Sequence, residues 1–329
     1  MNIFLTGATG YVGHELALAL ARKGDMVHIL ARDLSSPNIP RHENILVFKG
    51  DITDRNSIHV AMSDCAQVYH IAALVKIFDK HRSAFYKMNV DGTNNVLAEA
   101  IECGATKFVF TSTCGVIGNS VTVPKSENDP RTTGFNNEYE FTKSLAEDLV
   151  KEYSTKGIST VIVALSKVFG PGINTHPITV NKVIKRFLNG RPTFIPAPGS
   201  YVSNYCFIKD VVAGHQLAMA HGRTGEKYIL GGENICYRDL FTKIRALSGT
   251  KALLLETPRI LVQLWTVLQW IRYKLTGKEP LATLSGVKHI FCNKMFTSEK
   301  AIRELHYHLT PLGEALNETI RYLNNDPNE

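Results

Sequence analysis

The sequence predicts an α/β protein: a doubly wound parallel sheet with a smaller C-terminal α+β lobe. Three observations predict it. Short apolar runs alternate with longer helical patterns up to about residue 165, a glycine-rich turn follows the first run, and prolines and glycines then cut the chain into short elements.

In order, Asn2 to Thr6 is the first apolar run, and Gly10 to Lys23 has apolar residues at helical spacing. Met26 to Ala31 and Ile45 to Lys49 read as the next two strands. The rhythm continues through a strand at Gln67 to Ala72 and a helix over about 83–102. It closes with a strand at Lys107 to Thr111, a helix over about 138–155 and a strand at Ser159 to Ala164. Continuous apolar strands between amphipathic helices indicate a parallel sheet covered on both faces, whose ligands sit at the carboxyl ends of the strands. After Leu165, Gly170-Pro171-Gly172, Pro177, Pro192, Pro196 and Pro198 mark the second lobe. Residues 1–165 are expected to bind a dinucleotide and 166–329 mainly the substrate. Segments near 204–220 and 227–231 are expected to return to the first lobe.

At 329 residues, 44% hydrophobic and 20% charged, the chain is long enough for a large core without staples. Cys65, Cys103, Cys114, Cys206, Cys236 and Cys292 are scattered, with no C-x-x-C pair. His306 and His308 lack a third ligand, so no metal is expected. Reduced thiols and a Met1-Asn2 start that leads straight into a strand point to the cytoplasm. The net charge of +7 is dispersed rather than clustered, which argues against nucleic acid. Ile260 to Leu275 is apolar, with Trp265 and Trp270, but it is too short and polar to span a bilayer, which takes about 20 apolar residues. It reads as a helix capping the substrate pocket or packed in the second lobe or, alternatively, as one making weak contact with a membrane surface.

The turn is Thr6-Gly7-Ala8-Thr9-Gly10-Tyr11-Val12-Gly13. Gly7 permits the tight turn, Gly10 lets backbone approach a pyrophosphate, and Gly13 lets helix and strand pack, which is the Rossmann dinucleotide arrangement. The second strand ends Ala31-Arg32-Asp33. Alanine stands where an acid would take the ribose hydroxyls of NAD(H). Arg32, with Ser35 and Ser36 as further donors, suits a 2′-phosphate, so NADP(H) is favoured and NAD(H) remains possible. Asp33 is the counterweight. Asp51, in Gly50-Asp51-Ile52, is placed for the adenine.

Tyr139 and Lys143 lie four apart in a helical pattern, so an ammonium stands near a phenol and would lower its pKa toward working pH. A second Y-x-x-x-K, Tyr205 to Lys209, falls on a stretch read as extended, where about 13 Å would separate the two side chains. The strand Lys107 to Thr113 brings hydroxyls to the same crevice. In their order and intervals, the glycine turn, Gly50-Asp51, Asn89-Val90-Asp91-Gly92-Thr93, Phe110-Thr111-Ser112-Thr113 and Tyr139/Lys143 resemble the extended short-chain dehydrogenase/reductases, the NAD-dependent epimerase/dehydratase superfamily.

The resemblance implies that Tyr139 is the acid/base, that Lys143 holds the nicotinamide ribose, and that Thr113 fixes the carbonyl, with Ser112 as the alternative. It implies cofactor contacts at Gly7, Thr9, Gly10, Tyr11, Val12, Gly13, Arg32, Asp51, Ile52, Ala72, Ala73, Asn89, Thr111, Leu165 and Val168, besides Tyr139 and Lys143. It also implies a homodimer paired through the helices near 83–102 and 138–155.

Lys167-Val168-Phe169-Gly170-Pro171-Gly172, Ala213-Gly214-His215 and Gly225 to Asn234 resemble the dihydroflavonol reductase, 3β-hydroxysteroid dehydrogenase and hopanoid-associated sugar epimerase-like branch. The run Ser203 to Ile208 lacks the arginine with which nucleotide-sugar epimerases contact a diphosphate. The second lobe offers Phe194, Ile195, Tyr201, Phe207, Trp265 and Trp270, so an apolar ketone, aldehyde or secondary alcohol is the expected small-molecule substrate. Lys185, Arg186 and Arg191 keep a nucleotide-sugar epimerase or dehydratase as an alternative, and a non-catalytic NADP-binding sensor is a second.

Overall fold

A computed structural model describes residues 1–76, 80–173, 179–280 and 283–325; Pro177 lies outside them. The strands are β1 (Asn2–Thr6), β2 (Met26–Ala31), β3 (Ile45–Lys49), β4 (Gln67–His70), β5 (Lys107–Thr113) and β6 (Ser159–Leu165). They continue with β7 (Lys167–Phe169), β8 (Thr193–Pro196), β9 (Val202–Phe207), β10 (Lys227–Leu230), β11 (Glu233–Cys236) and β12 (Leu254–Thr257). Seven form one parallel sheet in the order β10-β6-β5-β4-β1-β2-β3.

The pleat divides the core in two. Ile3 and Leu5 of β1 join a cluster with Leu16, Val27, Ile29, Val161 and Val163, while Phe4 between them joins Leu30, Val68, Val96, Phe108 and Phe110 on the other face. This burial of alternate residues on both faces is why the strands read as unbroken apolar runs. A three-stranded sheet, β11-β9-β7, and a pair, β12-β8, belong to the second half of the chain.

Two differences from the sequence reading bear on the site. The fourth strand stops at His70 rather than Ala72, so Ala72 and Ala73 lie in the segment that follows it. The expected helix over 83–102 is interrupted: Ser83–Tyr86 and Gly92–Glu102 are α-helical, but Lys87–Asp91 is a π turn, a widening often found at functional sites. Asn89 lies in that turn, where its amide bonds outside the helix.

Candidate active site

The glycine turn is crowded by backbone. Gly7 has φ +82, and a Cβ there would lie 2.7 Å from the Ala72 nitrogen. A Cβ on Gly13 would lie 2.2 Å from the Gly7 carbonyl oxygen, so helix and turn touch only because that position has no side chain. The helix Tyr11–Arg22 has no side-chain cap and no acid in its first turn. Its leading N–H groups and dipole therefore face outward as an anion site. The Tyr11 phenol donates to the Gly170 carbonyl at 2.7 Å. Thr9 and Val12, in the same turn, are half-buried.

A buried relay fixes the turn, built from residues far apart along the chain. The Ala72 N–H donates to Thr6 Oγ1 at 3.2 Å, so the Thr6 hydroxyl proton goes to His70 Nδ1 at 2.7 Å. Thr93 donates to the Asn89 carbonyl at 2.7 Å and so accepts from His70 Nε2 at 3.0 Å, which settles the tautomer. Burial pulls the His70 pKa down to about 3, keeping the ring neutral. Asn89 itself is fully buried. Its side-chain oxygen accepts from the Leu74 N–H at 2.7 Å and its amide donates to Thr142 Oγ1 at 3.0 Å. Asn89 thus ties the segment after β4 to the helix bearing Tyr139.

Around the expected adenosine end, the Arg32 side chain is 75% exposed, with Nε 3.9 Å from the Asp51 carboxylate. Asp51 also accepts from the Thr53 N–H and hydroxyl, each at 2.9 Å. Asp33 Oδ1 accepts from the Ser35 N–H at 2.9 Å and its hydroxyl at 2.6 Å, and these bonds hold the carboxyl below its ordinary pKa. Ser35, expected to serve a phosphate, is thus bound to Asp33. Ile52 is a core residue, 4% exposed, packed against Gly92. The Thr111 hydroxyl bonds His215 Nε2 at 2.9 Å, and Val168 packs against the core. Neither of these two side chains lines the cleft described next, whereas Leu165 does.

Thr113, Tyr139, Leu165 and Lys167 share a cavity of about 160 Å³. The helix Glu138–Tyr153 carries Tyr139 in its first turn and is capped by Asn137, whose side chain accepts from the Glu140 N–H at 2.8 Å. Strand alternation sends the two hydroxyls to different surroundings. Ser112 is buried and donates to Glu147 at 2.6 Å, whereas Thr113 lines the cavity. Thr113 Oγ1 accepts from the Gly115 N–H at 3.1 Å, which leaves its own proton to donate. The second Y-x-x-x-K is not a pair: Tyr205 is buried on β9, and Lys209 pairs with Glu318 at the surface.

Lys143 is 1% exposed, and its Nζ has no hydrogen-bond partner among the described residues. It sits 3.8 Å from the centre of the Phe110 ring. Burial, only partly offset by Glu147, lowers its pKa to about 7. The expected lowering of Tyr139 is not found: burial, and then Glu140, push the phenol upward. The reason is that Lys143 lies against an aromatic face, in surroundings that disfavour its own charge. An orphaned buried ammonium and a cradle that a Cβ would fill are what a dinucleotide's ribose and pyrophosphate require, so these residues fit NAD(P).

Sequence reasoning missed the far wall of the cavity. Among the described residues, the lining includes Lys167, Lys294, Asn119, Ser166, Asn204 and Phe296, and none of the aromatic or aliphatic residues expected to hold an apolar substrate. Ile195 and Phe207 are core, while Phe194 is 62% exposed and Trp265 43%. Lys185, Arg186 and Arg191 do not line it either; Arg186 donates to the Pro192 carbonyl. Lys167 was visible as a cation inside the apolar run after β6. Lys294 had no local signal, because backbone bonds from Val202, Asn204 and the segment around Ser120 bring it there.

Residues 3–231 match the NAD dependent epimerase/dehydratase family. A Synechocystis sp. protein provisionally named dihydroflavonol 4-reductase is 31% identical over 334 residues, covering 98% of this chain and 94% of that one. A 3-beta-hydroxysteroid dehydrogenase of Mycolicibacterium neoaurum is 26% identical, covering 98% and 91%. The UDP-glucose 4-epimerase of Thermotoga maritima, solved with UDP-glucose, shares the fold at a TM-score of 0.82 and 22% identity, covering 98% and 99%. With the glycine turn in place, these matches show that the chain belongs to the NAD dependent epimerase/dehydratase family, the extended short-chain dehydrogenase/reductases, as an NAD(P)-dependent oxidoreductase.

Proposed function

We propose that the protein moves hydride between NADP(H) and a ketone, aldehyde or secondary alcohol, with Tyr139 as the acid/base. The observation that carries this reading is the cavity that Thr113 shares with Tyr139, whose helix also bears Lys143, an ammonium with no hydrogen-bond partner among the described residues. When bound, the nicotinamide supplies or accepts the hydride. The rest falls to the chain. Thr113 donates to the substrate oxygen and orients it, and Tyr139 gives up or takes a proton at its phenolic oxygen. Lys143 donates to ribose hydroxyls; its charge, lowered by burial, is restored by that contact and then favours the phenolate. Exposed Arg32, together with an Asp33 carboxylate already bound by Ser35, supports a phosphate on the adenosine ribose over a bare hydroxyl.

Calorimetric titration should give NADPH a preference over NADH above about thirtyfold, roughly 2 kcal/mol. A panel of secondary alcohols and ketones should then change NADPH absorbance in a substrate-dependent way. Isomerisation of a nucleotide sugar with no net cofactor change would instead make it an epimerase, and cofactor binding with neither reaction would make it a sensor.

A further inference from the structure

We propose that Glu147 is a positioning residue for Lys143: clamped by Ser112 and Lys227, it lends the ammonium a countercharge without bonding to it, which leaves the ammonium open to the ribose of the cofactor. This rests on the oxidoreductase reading and extends it to a residue that does not line the cavity. Tyr139, Lys143 and Glu147 are spaced by four along the helix Glu138–Tyr153, so the three share one face. Lys143 is 1% exposed and Glu147 2%. Each oxygen of the Glu147 carboxylate has a partner from a different strand. Oε1 accepts from the Ser112 hydroxyl of β5 at 2.6 Å, and Oε2 pairs with the Lys227 ammonium of β10. These two contacts hold the carboxylate one helical turn beyond Lys143, whose Nζ has no hydrogen-bond partner among the described residues.

A buried ammonium is costly without an anion nearby. The groups packed around Lys143 leave that task to Glu147. From β4 comes His70, whose ring burial keeps neutral, and from β5 come the Phe110 ring and the Ser112 hydroxyl. On the helix itself the Tyr139 phenol is pushed upward and stays protonated, and the Lys227 charge of β10 is engaged by Glu147. Burial lowers the Lys143 pKa to about 7, and Glu147 acts against that fall. Released from its clamp, the same carboxylate would close an i,i+4 ion pair with Lys143 and take from the ribose the donor it needs. The charge beside the cofactor therefore answers to a strand from the second half of the chain.

The test follows Lys143 directly, by NMR titration of protein isotopically labelled at the lysine ε-carbons, the Lys143 resonance being the one lost in Lys143→Arg. Glu147→Gln, which keeps an oxygen for Ser112, should lower the pH at which Lys143 titrates by about one unit, because an opposite charge has gone. Lys227→Met removes the cation that offsets Glu147 and should raise it. A merely structural role would not move the two in opposite directions. In Lys227→Met, calorimetry should also show NADPH binding weakened at least about tenfold, the loss expected when a charged donor is taken by a competing carboxylate. An unchanged Lys143 titration in Glu147→Gln overturns the proposal, and this variant decides alone if Lys227→Met, with its buried carboxylate uncompensated, fails to fold. A downward shift in Lys227→Met, or NADPH affinity undiminished there, overturns it as well. Opposite shifts in the two variants, with no turnover of any alcohol or ketone by the wild type, would sink the oxidoreductase reading and leave the positioning role standing.

Discussion

Tyr139→Phe is expected to lower kcat by at least about 100-fold while NADPH affinity stays within threefold, because positioned acid/base groups typically contribute 10²–10⁴-fold. The phenylalanine keeps the ring and removes only the proton carrier. The helix is not at risk, since its cap rests on Asn137 and its anchoring on Glu140, Thr142 and Glu147 rather than on the phenol. Single-turnover rates with bound NADPH, set beside calorimetric affinity, separate chemistry from binding. A variant that keeps more than a tenth of kcat would show that the proton travels another way. Ser112→Ala is the informative companion, because Ser112 bonds Glu147 and should affect stability more than the ratio kcat/KM.

Gly13→Ala is expected to cost at least 100-fold in dinucleotide affinity. The added Cβ would meet the Gly7 oxygen at 2.2 Å, the Gly7 carbonyl carbon at 2.7 Å and the Ala8 nitrogen at 3.1 Å, all of them backbone. No side chain can move aside. The helix must lift from the turn, which carries its N–H groups away from the pyrophosphate, and overpacking of this kind costs about 1–3 kcal/mol in stability as well. Gly313→Ala is the control, since nothing lies within 4 Å of its Cβ. Calorimetry with NADPH and thermal melts of both variants check the pair; undiminished affinity in Gly13→Ala would show that the turn does not carry the cofactor.

The sheet was legible because β1 and β2 are buried on both faces and stand out as apolar runs with the predicted limits, and the edge strand β3, though Leu46 and Val47 are exposed, keeps an apolar run of its own. The glycine turn was legible because backbone crowding leaves only one residue type. What was not legible depends on contacts between distant segments. The π turn at Lys87–Asp91 accompanies the bonds of Asn89 to Leu74 and Thr142, and no local pattern announces them. The helix Arg55–Met62 was missed because it is short and buries only Ile58, Ala61 and Met62. Aromatic residues pointed to an apolar cavity because their composition was visible and their direction was not. The polar wall needed Lys294, delivered by backbone pairing with β9 and the Ser120 segment.

The position of β10 has a consequence for synthesis. It pairs in parallel with β6, and its Lys227 forms an ion pair with Glu147 on the helix that connects β5 to β6. Until residue 230 has left the ribosome, β6, with Thr160 to Leu165 all buried in the finished fold, is a bare parallel edge, the kind of surface on which nascent chains aggregate. The second half of the chain therefore serves the first as the strand that closes its sheet. A fragment ending after β6 should be captured by chaperones or precipitate, whatever its intact glycine turn promises about nucleotide binding.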